Sequence, residues 1–343
     1  MKETCVIKKL YFLMIYGFRF IFRKPFFLNL NVDVTEFCTQ NCKMCNAELH
    51  RDTKDIIGAD NVLNHFKKLK KYHFATCSLS GGEPTLVSDI WKVFPMAKKQ
   101  FPFGVLLLSN LYGNKDRIFK IMEEALKNGI DISISFDGFG EVADKLRGAK
   151  RVSEIVEENL WRLKELREAT PSKSKITLHT VMCDDNLDQV PDIINLSKKL
   201  GFKQSITVVN SFFYLDEPDM PQMTKIDKLV EVVNLAIEQE HITQNREFLK
   251  GIVTFSKGEA PKLCPYLTTQ LKAFKLFLKP EGDASLCDRV PLGNIYRDKN
   301  LNEMFKKDEY AKAVESYRKC SGCWLGCFVV PMIKYKKILT KLK

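Results

Sequence analysis

The sequence predicts an α/β protein built on parallel strands, with a smaller cysteine-bearing unit towards its C-terminal end. Three observations carry this. Short apolar or alternating runs recur along the chain, most followed by an amphipathic stretch. Repeated β-then-α units of this kind give parallel strands with helices on the outside. Six such strands can be read between residues 28 and 209, fewer than the eight of a closed (β/α)8 barrel. Near Gly258–Lys262 the rhythm stops and cysteines return.

The elements follow in order. Residues 1–27 form an amphipathic segment. Leu10 to Phe22 is nearly all apolar, but Arg19 interrupts it and it is too short to span a bilayer. On a helix, Lys8, Lys9, Arg19 and Arg23 fall within about a third of the circumference. The pattern suits a helix lying in a membrane interface, and equally one capping the bottom of a barrel or binding a partner. Leu28 to Val34 alternates strictly and reads as the first strand. A helix over Ala59–Lys71 precedes a second strand, Ala75–Leu79, which runs into Ser80-Gly81-Gly82-Glu83-Pro84. Strands at Val105–Leu108, Asp131–Phe136, Lys175–Val181 and Ser205–Val209 alternate with helices at Asp116–Lys127, Val152–Arg167, Val190–Leu200 and Lys225–Glu238. Gly201 stands where a helix C-cap belongs. Residues 258–330 form the second unit, with a hairpin of Ala273–Leu278 and Ala284–Leu286 and a helix over Asn302–Tyr317. Residues 331–343 are a basic tail, with Lys334, Lys337 and Lys341 on one helical face.

The chain is 45% hydrophobic and 28% charged, enough to bury a core and unlike a disordered composition. Its net charge of +12 favours an anionic partner or a solvated basic surface. The basic residues are dispersed and no nucleic-acid motif appears, so no nucleic-acid role is expected. Eleven cysteines, mostly clustered and without a convincing secretory signal, read as metal chemistry in the reducing cytoplasm rather than as a disulfide framework. Cys5, Cys77 and Cys183 stand alone.

Cys38, Cys42 and Cys45, spaced C-x3-C-x2-C just after the first strand, are a soft ligand set that selects iron–sulfur clusters, zinc or copper(I). Zinc wants four ligands, whereas three thiolates would leave one iron of a [4Fe–4S] cube open. Three structural cysteines, or a zinc loop completed from afar, are the alternatives. Gly81, Gly82 and Glu83 close the second strand. Two glycines let the backbone approach a ligand, and a carboxylate can hold an ammonium group. Asn110, Ser133, Ser135 and Asp137 end the third and fourth strands, where ligands lie in parallel α/β folds.

The cysteine spacing resembles the hallmark of the radical S-adenosylmethionine (SAM) enzymes, and Gly81-Gly82-Glu83 is similar to that family's GGE motif. The resemblance covers roughly residues 28–328. It implies a partial, open (β/α)6 TIM-like barrel over residues 28–257. It further implies a [4Fe–4S] cluster on Cys38, Cys42 and Cys45 whose open iron chelates SAM. An electron, from a flavodoxin- or ferredoxin-type donor, then cleaves SAM to a 5′-deoxyadenosyl radical that abstracts hydrogen from a substrate. Gly81, Gly82 and Glu83 are assigned to the methionyl amino group, Asn110 and Ser135 to SAM contacts, and Arg147 to the SAM carboxylate. The residue before the third cysteine is usually aromatic in the family; here it is Met44. His179 and Asn186, flanking the fifth strand, are weaker candidates.

Cys287 within Gly282-x4-Cys287, followed by Cys320-x2-Cys323, resembles the SPASM/twitch extension of these enzymes. That implies one auxiliary [4Fe–4S] cluster on Cys264, Cys287, Cys320 and Cys323, with Cys327 a replacement or spare. Zinc is the alternative reading of the CxxC. The 27 residues before the first strand are too few for a leader-peptide domain. The expected substrate is therefore a small-molecule or lipid-linked metabolite, with peptide or protein modification as the alternative.

Overall fold

The computed structural model describes residues 2–22, 27–45, 58–210, 221–261, 263–264, 275–287, 291–318 and 322–341. In chain order these give α1 (Lys2–Ile21), β1 (Asn29–Asp33), α2 (Ala59–Leu69), β2 (Thr76–Ser80), α3 (Phe94–Gln100), β3 (Gly104–Ser109) and α4 (Lys115–Lys127). There follow β4 (Asp131–Ser135), α5 (Gly140–Arg147), α6 (Val152–Ala169), β5 (Ile176–Met182), α7 (Val190–Leu200), β6 (Lys203–Val208), α8 (Ile226–Ile237) and α9 (Arg246–Ser256). The C-terminal part adds β7 (Lys275–Leu278), β8 (Asp283–Ser285), β9 (Pro291–Asn294), α10 (Leu301–Met304), α11 (Asp308–Arg318) and α12 (Gly326–Lys341).

All nine strands form one sheet, ordered β6-β5-β4-β3-β2-β1-β7-β8-β9. The six expected strands pair in parallel, each with its neighbour in sequence. The C-terminal hairpin is not apart from them: β7 lies parallel to β1, with Asn29 opposite Lys275 and Val32 opposite Leu278. β8 and β9 continue the sheet antiparallel. Sequence reading missed β9, whose Pro-Leu-Gly-Asn lacks apolar alternation, and also α3, α5 and α9. The helix expected over Asn302–Tyr317 is two helices, broken between Met304 and Asp308.

Period two divides the sheet into two unlike faces. Leu30, Val32, Leu79, Leu107, Ile132 and Leu178 share one apolar core with Phe66, Ile118 and Leu160 from the helices. The other face carries Asn29, Asp33, Ser78, Ser80, Ser133, Ser135, His179 and Ser205, all half-buried. Neighbouring strands are stitched there by side chains: Asn31 Nδ2 donates to Ser80 Oγ at 2.7 Å and Ser80 Oγ to Asp33 Oδ1 at 2.9 Å. A parallel sheet buried on both faces reads as continuous apolar runs; the alternation in β1 reports this polar inner side.

Local signals set the helix ends. Asn114 Oδ1 accepts from Arg117 N at 3.0 Å to cap α4, and Gly201 ends α7 at φ +70°. α1 packs beneath the N-terminal ends of the first strands, since Phe12 meets His73 and Phe103 edge-on and Tyr16 Oη donates to His73 O at 2.6 Å. Among the described residues no helix is long and apolar enough to cross a membrane. The side chains of Cys5, Lys334, Lys337 and Lys341, and all of Cys320, lie outside the described residues.

Candidate active site

The cysteine loop leaves the C-terminal end of β1 and is held on two sides by backbone. On one side Gly82 N donates to Thr35 O at 2.7 Å and Glu83 N to Phe37 O at 2.8 Å. This contact needs glycine. A Cβ on Gly81, at φ +117°, would stand 2.2 Å from Thr35 O, and one on Gly82 2.0 Å from Phe37 O. The close approach that the glycines permit is thus to the cysteine loop itself. On the other side Asn41 N donates to Arg147 O and Lys43 N to Leu146 O, each at 2.9 Å. Gly148, at φ +59°, leaves room for Asn41 O, which a Cβ would meet at 2.2 Å.

Glu83 is 1% exposed. Its Oε1 accepts from Thr85 N at 3.0 Å, Thr85 Oγ1 at 2.7 Å and Ser109 Oγ at 2.8 Å, and its Oε2 from Asn110 N at 2.7 Å. Burial raises its pKa, and these donors work against the rise. The carboxylate is therefore occupied in joining the ends of β2 and β3. What the GGE stretch turns towards the cysteine loop is backbone. Three donors occupy Oε1 while Oε2 takes one and keeps acceptor capacity, so the side chain has a positioning role beside the ammonium contact expected of it. Thr85 and Ser109 are not among the expected site residues; Thr85 meets Glu83 in a local turn, and the fold brings Ser109.

Two side chains aim N–H donors at the thiols. Asn110, anchored by its N–H on Glu83, points Nδ2 at Cys38 Sγ, 3.7 Å away. Arg147 points Nη1 at Cys42 Sγ, 3.6 Å away, and its Nη2 pairs with the buried Asp137. Asp137 is fixed in turn by Val181 N at 2.7 Å on Oδ1. Burial opposes the charge on Arg147, but Asp137 and Cys42 outweigh it and hold the guanidinium protonated. Arg147 is thus held in a buried ion pair, with its guanidinium against a thiol.

The donor set fits an iron–sulfur cluster. Burial pushes Cys38 up to about 12, and the charges of Glu83, Cys42 and Cys45 add to the rise over a backbone donor at Gln40 that lowers it. Burial also raises Cys42, against the lowering effect of Arg147. Thiolates crowded on one loop require cations, and metal binding takes the thiolate form. Donors aimed at sulfur are what cluster-ligating cysteines receive. Gln40 Nε2 is also buried there without a hydrogen-bond partner, while its Oε1 lies 3.7 Å from Cys42 Sγ. Among the described residues no three His, Cys, Asp or Glu side chains converge as a ready single-ion site.

The remaining candidates divide. Ser135 lies half-buried on the polar face, in register with His179, whose Nδ1 is 3.1 Å from Ser205 Oγ. Asn186 is structural: its Nδ2 donates to Asp137 O and Val181 O, both at 2.8 Å. Met44 is half-buried and packs against an apolar cluster that includes Leu146, Met182 and Leu187.

A second thiol group lies in the C-terminal part. Burial pushes Cys323 up to about 12, and the nearby Cys327, Cys264 and Cys287 raise it further. Trp324 fixes their approach: its N–H donates to Asn210 Oδ1 at 2.9 Å and its Nε1 to Phe248 O at 3.0 Å.

Fold and site together define an enzyme of SAM radical chemistry. Residues 32–197 match the Radical SAM superfamily, whose cofactors are a [4Fe–4S] cluster and SAM. The chain is 22% identical over 302 residues to a probable GTP 3′,8-cyclase of Thermoplasma volcanium, covering 82% of this chain and 87% of that one. It is 26% identical over 216 residues to the PqqA peptide cyclase of Bradyrhizobium diazoefficiens, spanning 61% of this chain and 54% of the cyclase. Its fold is shared with Streptococcus suis SuiB, solved with the precursor peptide SuiA, at TM-score 0.64 and 15% identity over 89% of this chain and 71% of SuiB.

Proposed function

We propose that Cys38, Cys42 and Cys45 hold the SAM-cleaving cluster, that Cys264, Cys287 and Cys323 hold an auxiliary one with Cys320 or Cys327 as its fourth ligand, and that the substrate is a peptide. The observation that carries the first part is the pair of donors, Asn110 and Arg147, aimed at Cys38 and Cys42. When bound, the first cluster supplies the electron that splits SAM into methionine and a 5′-deoxyadenosyl radical. The chain's own residues position the reactants. Glu83 sets Asn110, Arg147 clasps the loop, and the backbone of Gly81-Gly82-Glu83 offers polar groups to the methionyl amine. Ser135 and its polar neighbours face the ligand across the sheet's inner side. A small redox protein of flavodoxin or ferredoxin type delivers the electron.

The peptide class is supported by the PqqA peptide cyclases, whose name carries it. A small-molecule substrate is the second reading, favoured by the nucleotide cyclase, which aligns over most of both chains. The test is anaerobic reconstitution with SAM and dithionite. Production of 5′-deoxyadenosine should be lost when Cys38, Cys42 and Cys45 are changed together to Ala; its survival would overturn the cluster assignment. Deuterium passing into 5′-deoxyadenosine from a labelled peptide, and not from a labelled nucleotide, would decide between the substrate classes.

A further inference from the structure

α1 is amphipathic the wrong way round for a helix that is only a lid on the barrel. Its docked side is Phe12 and Tyr16, with Lys9 and Arg19 half-buried beside them. Its outward side carries Leu10, Leu13, Met14 and Phe18, continued by Phe22, each more than half exposed, Met14 at 73%. Between Leu10 and Phe22 the only charged residue is Arg19, which is not on this arc. Residues 2–24 hold Lys2, Lys8, Lys9, Arg19, Arg23 and Lys24 against the single acid Glu3.

We propose that this ridge seats in the surface of an anionic lipid bilayer. The apolar side chains enter the acyl boundary, and the cations behind them reach along the rim to lipid phosphates, as long basic side chains do. Charge complementarity selects the occupant: six cations and one acid suit an anionic lipid surface, and the whole chain carries +12. The placement of α1 adds a consequence that rests on the proposed site. His73 and Phe103, against which α1 docks, precede β2 and β3, whereas the cysteine loop follows β1. The foot and the cysteines lie at opposite ends of strands about 17 Å long. The membrane tethers the enzyme while the mouth opens away from it, so a substrate is met from the aqueous side and not drawn from the lipid beneath α1.

The test is co-sedimentation of the full chain with phosphatidylcholine vesicles, with and without phosphatidylglycerol. Wild type should pellet with the anionic vesicles and bind the neutral ones about tenfold or more weakly. The double variant Leu10→Glu/Met14→Glu should lose about tenfold or more of its binding to the anionic vesicles. Its SAM cleavage should match wild type, which separates failure of the foot from failure of the radical chemistry. Equal pelleting of variant and wild type overturns the proposal. So does a wild-type dimer in sedimentation velocity that ignores vesicles and is dissolved by the double variant, since the ridge would then be a protein interface.

Discussion

Replacing Glu83 with Gln tests its positioning role at the site. The carboxylate takes three donors on Oε1 and one, Asn110 N at 2.7 Å, on Oε2. A Gln amide oriented to keep the three must set its NH2 against Asn110 N–H. That leaves a buried backbone donor unpaired, at about 1–3 kcal/mol, and removes charge assistance from the others, for a total of roughly 3–5 kcal/mol. In a chain of this size that lowers the melting temperature by roughly 5 °C. Asn110 then loses the anchor that aims it at Cys38, so iron content should fall as well. The assay is an anaerobic thermal melt with iron quantification, beside SAM affinity measured on the reconstituted protein. A variant that melts like wild type, keeps its iron and binds SAM about tenfold more weakly would refute the reasoning, because the carboxylate would then be a SAM ligand with no positioning role.

Gly82→Ala places a Cβ 2.0 Å from Phe37 O, so the loop must part from β2; a loss of about 3 kcal/mol in denaturant unfolding is expected, whereas Gly17→Ala, with nothing within 4 Å, should cost nothing. Cys323→Ala should reduce reconstituted iron from about eight to about four per chain, by colorimetric iron assay. His65 is held by burial down to about 4, with Nδ1 2.6 Å from Tyr296 Oη. An unfolded His titrates near 6.5, so below that pH the unfolded chain takes up a proton the folded chain refuses. Stability then falls as pH drops from about 6.5 towards 4, by roughly 3 kcal/mol from this residue. Urea midpoints at pH 7.5 and 5 should differ less in His65→Gln than in wild type.

Much of this could be read from local sequence, and the physical reason is range. Strand alternation, helix caps such as Asn114 and the C-cap Gly201 depend on neighbours within a few residues, so β1 to β6 and their order were legible. The C-x3-C-x2-C spacing placed three thiols on one loop without any knowledge of the fold. Pairing across long separations was not legible. Nothing local says that Lys275 will lie beside Asn29 in one sheet, nor that Asn110 and Arg147 will meet Cys38 and Cys42.

By itself, then, the sequence determined the class of chemistry, through the identity and spacing of Cys38, Cys42 and Cys45 and the glycines that follow the next strand. The tertiary structure alone decided where the polar groups point. It turned Glu83 inward onto Ser109 and Asn110, aimed Arg147 at Cys42, and chose which side of α1 faces out. A side chain's partner is set by packing among distant segments, and burial leaves a charged or polar group only the partners that packing supplies.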